Sequence, residues 1–259
     1  MICDPALDCE VRPSPNVNER RGGLTPDILL LHYTGMGTGD QALDWLCNRE
    51  SGVSCHYLVH EDGRIVQMVP EAMRAWHAGV GSWRGRNDIN STSIGIEIVN
   101  GGHSGGLPAF PERQIDAVVA LSRDILGRHA IRPEFVLAHS DIAPDRKEDP
   151  GEHFPWDELH RAGIGHLVAP APMRGGRYLS RGDRGEPVSA FQAMLSAYGY
   201  GLAIDGDFDE ATRLATIAFQ RHFRPARVDG VADISTIDTL HRLLAALERS
   251  PFADRTPSA

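Results

Sequence analysis

Residues 167–176, Leu-Val-Ala-Pro-Ala-Pro-Met-Arg-Gly-Gly, break the chain into two patterns, because the periodicities on either side lapse there. Pro and Gly gathered where patterning fails mark an interdomain linker. The chain is therefore expected to divide into residues 1–166, a linker at 167–176, and a smaller unit at 177–250. Its 259 residues suffice for a medium domain plus a small one.

Ahead of the break, apolar runs of strand length recur at Ile28 to Leu31, Tyr57 to Val59, Ile65 to Val69, Ile94 to Val99 and Phe135 to Ala138. They alternate with helical patterns, the clearest of which opens at Pro111 in the first turn. It repeats apolar side chains at Ile115, Val118, Val119, Ile125 and Leu126, with Ser122 the one polar gap. Strands interleaved with helices imply a covered sheet with helices on its faces. Beyond the break only helices are legible, with apolar faces at Val188, Phe191, Leu195 and Tyr198, at Leu214, Ala218 and Phe219, and at Ile237, Leu240, Leu244 and Leu247. These predict a minimal three-helix bundle. Within it, Asp205-Gly206 before Thr212 and Asp229-Gly230 before Thr236 repeat one interval, which turn and helix-cap chemistry explains.

A formal charge of −9 argues against a general nucleic-acid binder, which concentrates Lys and Arg to displace counterions. No run of eighteen apolar residues occurs, and the first twenty residues hold four acidic groups and no signal-like apolar stretch. Cys3, Cys9, Cys47 and Cys55 match neither a zinc knuckle nor a dense disulfide framework and read as free thiols. Thiols and the absence of an export signal favour the cytoplasm, with the periplasm or cell envelope as the alternative.

Most of the twelve histidines, among them His60, His103, His129, His153, His160, His166, His222 and His241, read as surface or satisfied side chains. Two differ by position. His32 ends the run Ile28-Leu29-Leu30-Leu31, and His139 ends Phe135-Val136-Leu137-Ala138, so two strands each deliver an imidazole to the rim of a sheet. Asp149 follows His139 after a loop stiffened by proline and offers a third ligand. Two His and one carboxylate leave a fourth tetrahedral position open, the arrangement of catalytic rather than structural zinc. Glu97, a carboxylate among apolar neighbours in Gly95-Ile96-Glu97-Ile98, is the candidate acid–base group. Lys147, two residues before Asp149, is placed to offset charge on an oxyanion.

The blocks that carry these residues resemble the type 2 N-acetylmuramoyl-L-alanine amidase family. They are Ser14-Pro15-Asn16, Leu31-His32-Tyr33-Thr34-Gly35, Val53 to Val59, Ala75-Trp76-His77-Ala78-Gly79, Asn90 to Glu97, and His139 to Gly151, in the family's order and covering about residues 14–165. The resemblance implies an α/β amidase domain with a central mixed β-sheet flanked by helices, one Zn2+ held by His32, His139 and Asp149, and Glu97 and Lys147 as catalytic partners. It implies as substrate the lactyl amide between N-acetylmuramic acid, or its 1,6-anhydro form, and L-alanine in peptidoglycan or muropeptides. Some relatives carry a catalytic tyrosine where this chain has Cys55, a departure that leaves Glu97 as the base. Trp76 and His77 look like cleft residues, and Arg84 and Arg86, in a Gly-rich loop, offer pairing to peptide carboxylates. The C-terminal part, through Leu179 to Asp183, Phe191-Gln192, Asp205 to Phe208 and Ala218 to Arg221, resembles the three-helix peptidoglycan-binding domain attached to wall hydrolases. As a tethered module it would raise local substrate concentration.

Two rivals stand beside this reading. One is a recognition protein that binds muropeptides without cleaving them. The other is nucleophilic hydrolysis by Cys55 beside His56, against which stands the rule that adjacent residues on a strand point to opposite faces.

Overall fold

The computed structural model describes residues 2–248, so the expected end of the second domain at residue 250 lies outside the described residues. The strands are β1 (Glu10–Val11), β2 (Val17–Glu19), β3 (Ile28–Tyr33), β4 (Tyr57–Val59), β5 (Ile65–Gln67), β6 (Met73–Ala75), β7 (Ser93–Ile98) and β8 (Val136–Ala138). The α-helices are α1 (Gly39–Leu46), α2 (Ile89–Thr92), α3 (Glu112–Arg128), α4 (His139–Ile142), α5 (Trp156–Arg161), α6 (Glu186–Tyr198), α7 (Glu210–Phe223) and α8 (Ile234–Glu248). No described helix is long and apolar enough to cross a membrane.

Six strands form one sheet in the order β1-β5-β4-β7-β3-β8. β3 runs parallel to β7 and β8, and β7 parallel to β4, while β5 is antiparallel to β4, which makes the sheet mixed as the sequence leads one to expect. Because side chains alternate along a strand, β3 serves two interiors. Leu29 and Leu31 join Ile94, Ile96 and Ile98 against Ile115, Val118, Leu121 and Ile125 of α3. Ile28 and Leu30 face the other way, into an apolar cluster that also holds Leu137, Trp83, Val188, Phe191, Leu195, Tyr198 and Phe219. The second cluster crosses from the sheet into the helices after residue 177. Pro111 stands at the N-cap of α3 rather than inside its first turn.

The segment 167–176 carries no helix or strand. It is nonetheless held down: the Ala171 N–H donates to Thr239 Oγ1 at 3.0 Å, and Ser235 Oγ donates to the Ala171 carbonyl at 2.6 Å. In the bundle, the Asp-Gly repeat has a second layer that the sequence spacing does not reveal. Gln192 Oε1 accepts from the Asp205 and Gly206 amides, and its Nε2 donates to Asp207 O and Thr212 Oγ1. Gln220 does the same with Asp229, Gly230, Val231 and Thr236. Asp209 and Asp233 cap the following helices through the Thr212 and Thr236 amides.

The free-thiol reading needs correction at one pair. Cys3 and Cys9 form a disulfide, and only Cys47 and Cys55 are free. A spacing of six residues does not itself reveal that a chain doubles back to bring two sulfurs together. Disulfides persist in oxidising compartments, so thiol content no longer favours the cytoplasm.

Beneath the far edge of the sheet, buried Glu71 accepts from Tyr57 Oη (2.6 Å), from Arg128 Nη2 (2.6 Å) and from the His129 ring (2.6 Å). Burial would raise its pKa, but His129, Arg128 and Tyr57 hold the carboxylate down at about 2.

Candidate active site

The parallel register assembles the site. His32 on β3 pairs with Glu97 on β7, and Leu31 pairs with Ala138, the residue just before His139, so the three side chains emerge together at the C-terminal ends of neighbouring strands. Open α/β sheets bind ligands at that edge. The Ser140 amide donates to the Asp149 carbonyl at 3.1 Å, closing the loop between them and returning the aspartate beside His139.

Three atoms then converge. His32 Nδ1 lies 2.9 Å from His139 Nδ1, and each lies 3.0 Å from Asp149 Oδ2. The surroundings decide which of them carry protons. Ser93 Oγ donates to the Ile89 carbonyl (2.7 Å), so it accepts from His77 Nε2–H (3.2 Å). His77 Nδ1 therefore has a lone pair and accepts from His32 Nε2–H at 2.9 Å. His139 Nε2–H donates to the Ala78 carbonyl at 2.9 Å. In the neutral rings both Nδ1 atoms are bare, and together with a carboxylate oxygen they form a triangle of lone pairs with no proton to share. Such a triangle repels itself unless a cation sits at its apex, and ring nitrogens oriented by a partner on the opposite nitrogen are the usual companions of a metal. Tetrahedral bonds of about 2.0 Å to zinc separate their donors by about 3.3 Å, close to the spacings here. The donor set thus fits Zn2+.

The charges agree. Burial and the adjacent His139 pull the His32 imidazole down to about 4, which keeps the ring neutral at physiological pH. Burial, with Asp149 adding to it, pushes the Glu97 carboxyl well above its usual range. Among the described residues Glu97 Oε2 is buried without a hydrogen-bond partner, and the side chain lines the cleft beside the three ligand atoms.

His32, His139, Asp149, Glu97, Lys147, Trp76 and His77 all line one cleft of about 390 Å³. Trp76 presents its ring there while its Nε1–H donates to Asn18 Oδ1 at 2.6 Å. His77 is present but has both nitrogens engaged, by His32 and Ser93, so it orients His32 rather than offering a contact to a ligand. Gly95 makes room for it: a Cβ at that position would lie 2.5 Å from His77 Nδ1 and 2.7 Å from Cys55 Sγ.

Arg84 and Arg86 do not reach the cleft, which corrects the expectation that they meet the ligand. Arg86 Nη1 donates to both oxygens of Asp27 (2.7 and 2.8 Å), and Arg84 Nε donates to the Tyr198 carbonyl at 3.1 Å. Both guanidinium groups stack on Phe135. Their turn is directed away because Trp83 is buried against Tyr198 and Tyr200. The Cys55–His56 pair also falls away. His56 Nδ1 accepts from the Gly95 amide and its Nε2 meets the Met73 carbonyl, while burial, then Glu97, push the Cys55 thiol well up. Sequence reasoning missed Arg146, whose Nε donates to the Val80 carbonyl (2.8 Å) and whose Nη2 donates to Ala78 O (2.5 Å), fixing the strip that carries the His139 acceptor.

Comparison with known proteins agrees with this geometry. Residues 22–152 match the family described as N-acetylmuramoyl-L-alanine amidase, and residues 184–240 match a peptidoglycan binding domain. The chain is 41% identical over 223 residues to the N-acetylmuramoyl-L-alanine amidase AmiD of Escherichia coli, covering 81% of this chain and 79% of that protein. The solved complex of Escherichia coli AmiD with anhydro-N-acetylmuramic acid-L-Ala-D-gamma-Glu-L-Lys matches with a TM-score of 0.74 at 35% identity, over 90% of this chain and 94% of that one. AmpDh3 of Pseudomonas aeruginosa in complex with anhydromuramic pentapeptide matches with a TM-score of 0.68 at 33% identity, over 86% and 93%. This chain belongs to the N-acetylmuramoyl-L-alanine amidase family and carries a C-terminal peptidoglycan-binding domain.

Proposed function

We propose that the protein is a zinc-dependent amidase that hydrolyses the bond between N-acetylmuramic acid, or its 1,6-anhydro form, and L-alanine of the stem peptide. The observation that carries this reading is the triangle of His32 Nδ1, His139 Nδ1 and Asp149 Oδ2, in which hydrogen bonds on the far side of each ring leave both nitrogens bare. His32, His139 and Asp149 would hold the zinc ion, which would supply Lewis acidity and lower the pKa of a bound water to about 7. Glu97, whose buried Oε2 has no partner among the described residues and whose carboxyl is pushed up by burial, accepts a proton from the attacking water and returns it to the departing amine. Lys147 lines the same cleft and offsets the charge that develops on the carbonyl oxygen. Trp76 gives the substrate an apolar wall.

The anhydro-muropeptides bound to two similar structures support this substrate class. The Cys3–Cys9 disulfide and the peptidoglycan-binding domain favour action at the cell envelope over recycling in the cytoplasm. A non-catalytic recognition protein has no use for a complete ligand triangle beside an orphaned carboxylate, so catalysis is the better reading. The decisive assay follows stem-peptide release from a purified anhydro-muropeptide. Chelation should abolish release, and one equivalent of zinc should restore it. Turnover that persists in metal-free protein would end the proposal.

A further inference from the structure

The loop from His139 to Asp149 supplies two of the three ligand atoms and Lys147, and the C-terminal domain holds it at both ends. At its start, Asp141 lies fully buried in the same short turn as His139. Its carboxylate accepts from the Ala138 amide (2.8 Å), from Tyr200 Oη (2.7 Å) and from the His222 ring (2.7 Å). Only the first donor belongs to the amidase domain. A carboxylate taken out of water needs several donors to remain in place, and two of these three come from beyond residue 177. His222 is itself wedged between Trp156 (centroids 3.7 Å apart) and Phe223 (3.8 Å), so its nitrogen is aimed rather than free to swing. At the other end, Arg221 Nη2 donates to Glu148 Oε1 at 2.7 Å, one residue before Asp149. Glu148 also faces His103 at 3.6 Å, and His103 bonds Tyr33 Oη at 3.0 Å, next to His32.

Two neighbouring residues of α7, Arg221 and His222, thus grip opposite ends of the ligand loop, with Tyr200 as a third hold. We infer that Tyr200, Arg221 and His222 are positioning residues for the metal centre, and that the C-terminal domain completes the amidase site rather than only delivering it to substrate. The inference rests on the zinc reading given above. It differs from a tethering role because it acts on a soluble muropeptide as strongly as on polymeric wall.

The test uses the full chain with Tyr200→Phe, which removes one oxygen, and Arg221→Gln, which removes only the outer grip. Zinc affinity is read by competition with a chromophoric chelator, ligand geometry by the visible bands of cobalt-substituted protein, and kcat and KM on a soluble anhydro-muropeptide. Each variant should bind zinc about tenfold more weakly or worse, as when groups that orient metal ligands are removed. The cobalt bands should shift, and kcat should fall while KM stays within about twofold. Arg221→Lys should recover much of the loss, and Glu210→Gln, in a half-exposed pair on the same helix that does not touch the ligand loop, should behave as wild type. If Tyr200→Phe fails to fold, Arg221→Gln decides. Folded variants with wild-type zinc affinity and cobalt spectrum would overturn the inference, as would a loss confined to KM or to polymeric peptidoglycan. Wild-type protein that takes up no zinc would overturn the metal reading itself, and this one with it.

Discussion

In the C-terminal domain, Gln192 and Gln220 are almost wholly buried, and each amide head engages two backbone amides, a carbonyl and a threonine hydroxyl. Around the cleft of the amidase domain, two imidazole nitrogens and a carboxylate oxygen meet while the far nitrogen of each ring is engaged elsewhere, and among the described residues Glu97 Oε2 has no partner. Both regions bury polar atoms in a low-dielectric interior. The two glutamine head groups have every donor and acceptor paired; the groups of the cleft are left open. Satisfied groups help to fix a unique fold, whereas open ones clustered in a cleft are available for chemistry or for an ion.

The sharpest way to break this contrast is to remove the open group. Glu97→Gln keeps the shape and removes the proton carrier, and should lower kcat on an anhydro-muropeptide by about 10³-fold, within the range of general acid–base catalysis. Its thermal stability should hold or rise. A variant with near-normal kcat would mean the orphaned carboxylate is not the catalyst. The complementary change is Gln192→Ala, which strands two amides and a carbonyl in the bundle. It should cost about 3 kcal/mol in urea denaturation and leave kcat of the folded fraction unchanged. Unaltered stability there would refute the architectural role.

Glu71 is a satisfied charge inside the amidase domain itself. Its folded pKa, about 2, lies below the ordinary value of 4.5. Stability from this carboxylate is therefore fully present above pH 4.5 and is lost as pH falls from there towards 2. Glu71→Gln should lose about 2 kcal/mol at pH 7 and show a flatter decline in stability between pH 5 and pH 2, measured by denaturant unfolding across that range. A decline as steep as wild type would place the acid sensitivity elsewhere.

The contrast also explains what the sequence could show. His32, His139 and Asp149 were readable because each is announced locally, by an apolar run that stops at an imidazole or a proline-stiffened loop that ends at a carboxylate. The same holds for the five strands and the faces of the three late helices. His77 was visible as a cleft residue, but its part in orienting His32 depends on the register that sets β7 beside β3 and on the space left by Gly95. Arg84 and Arg86 misled because a charged loop does not say which surface it will meet, and here Trp83 turns it onto the bundle. The glutamine clasps escaped notice because Gln192 and its turn partners are thirteen or more residues apart, with no periodicity linking them. Nor does an apolar helix face name its partner, so nothing in the sequence tells that part of the bundle's interior is the underside of the sheet.

That shared interior has a consequence for how the molecule fails. Ile28, Leu30 and Leu137 lie in the same apolar cluster as Phe191, Leu195 and Phe219. Peeling the bundle away would admit water beneath the strand that presents His32, while α3 still shielded the opposite side. Function and breathing are therefore expected to be linked: activity should be lost on heating at a lower temperature than the helix α3 side of the amidase domain unfolds.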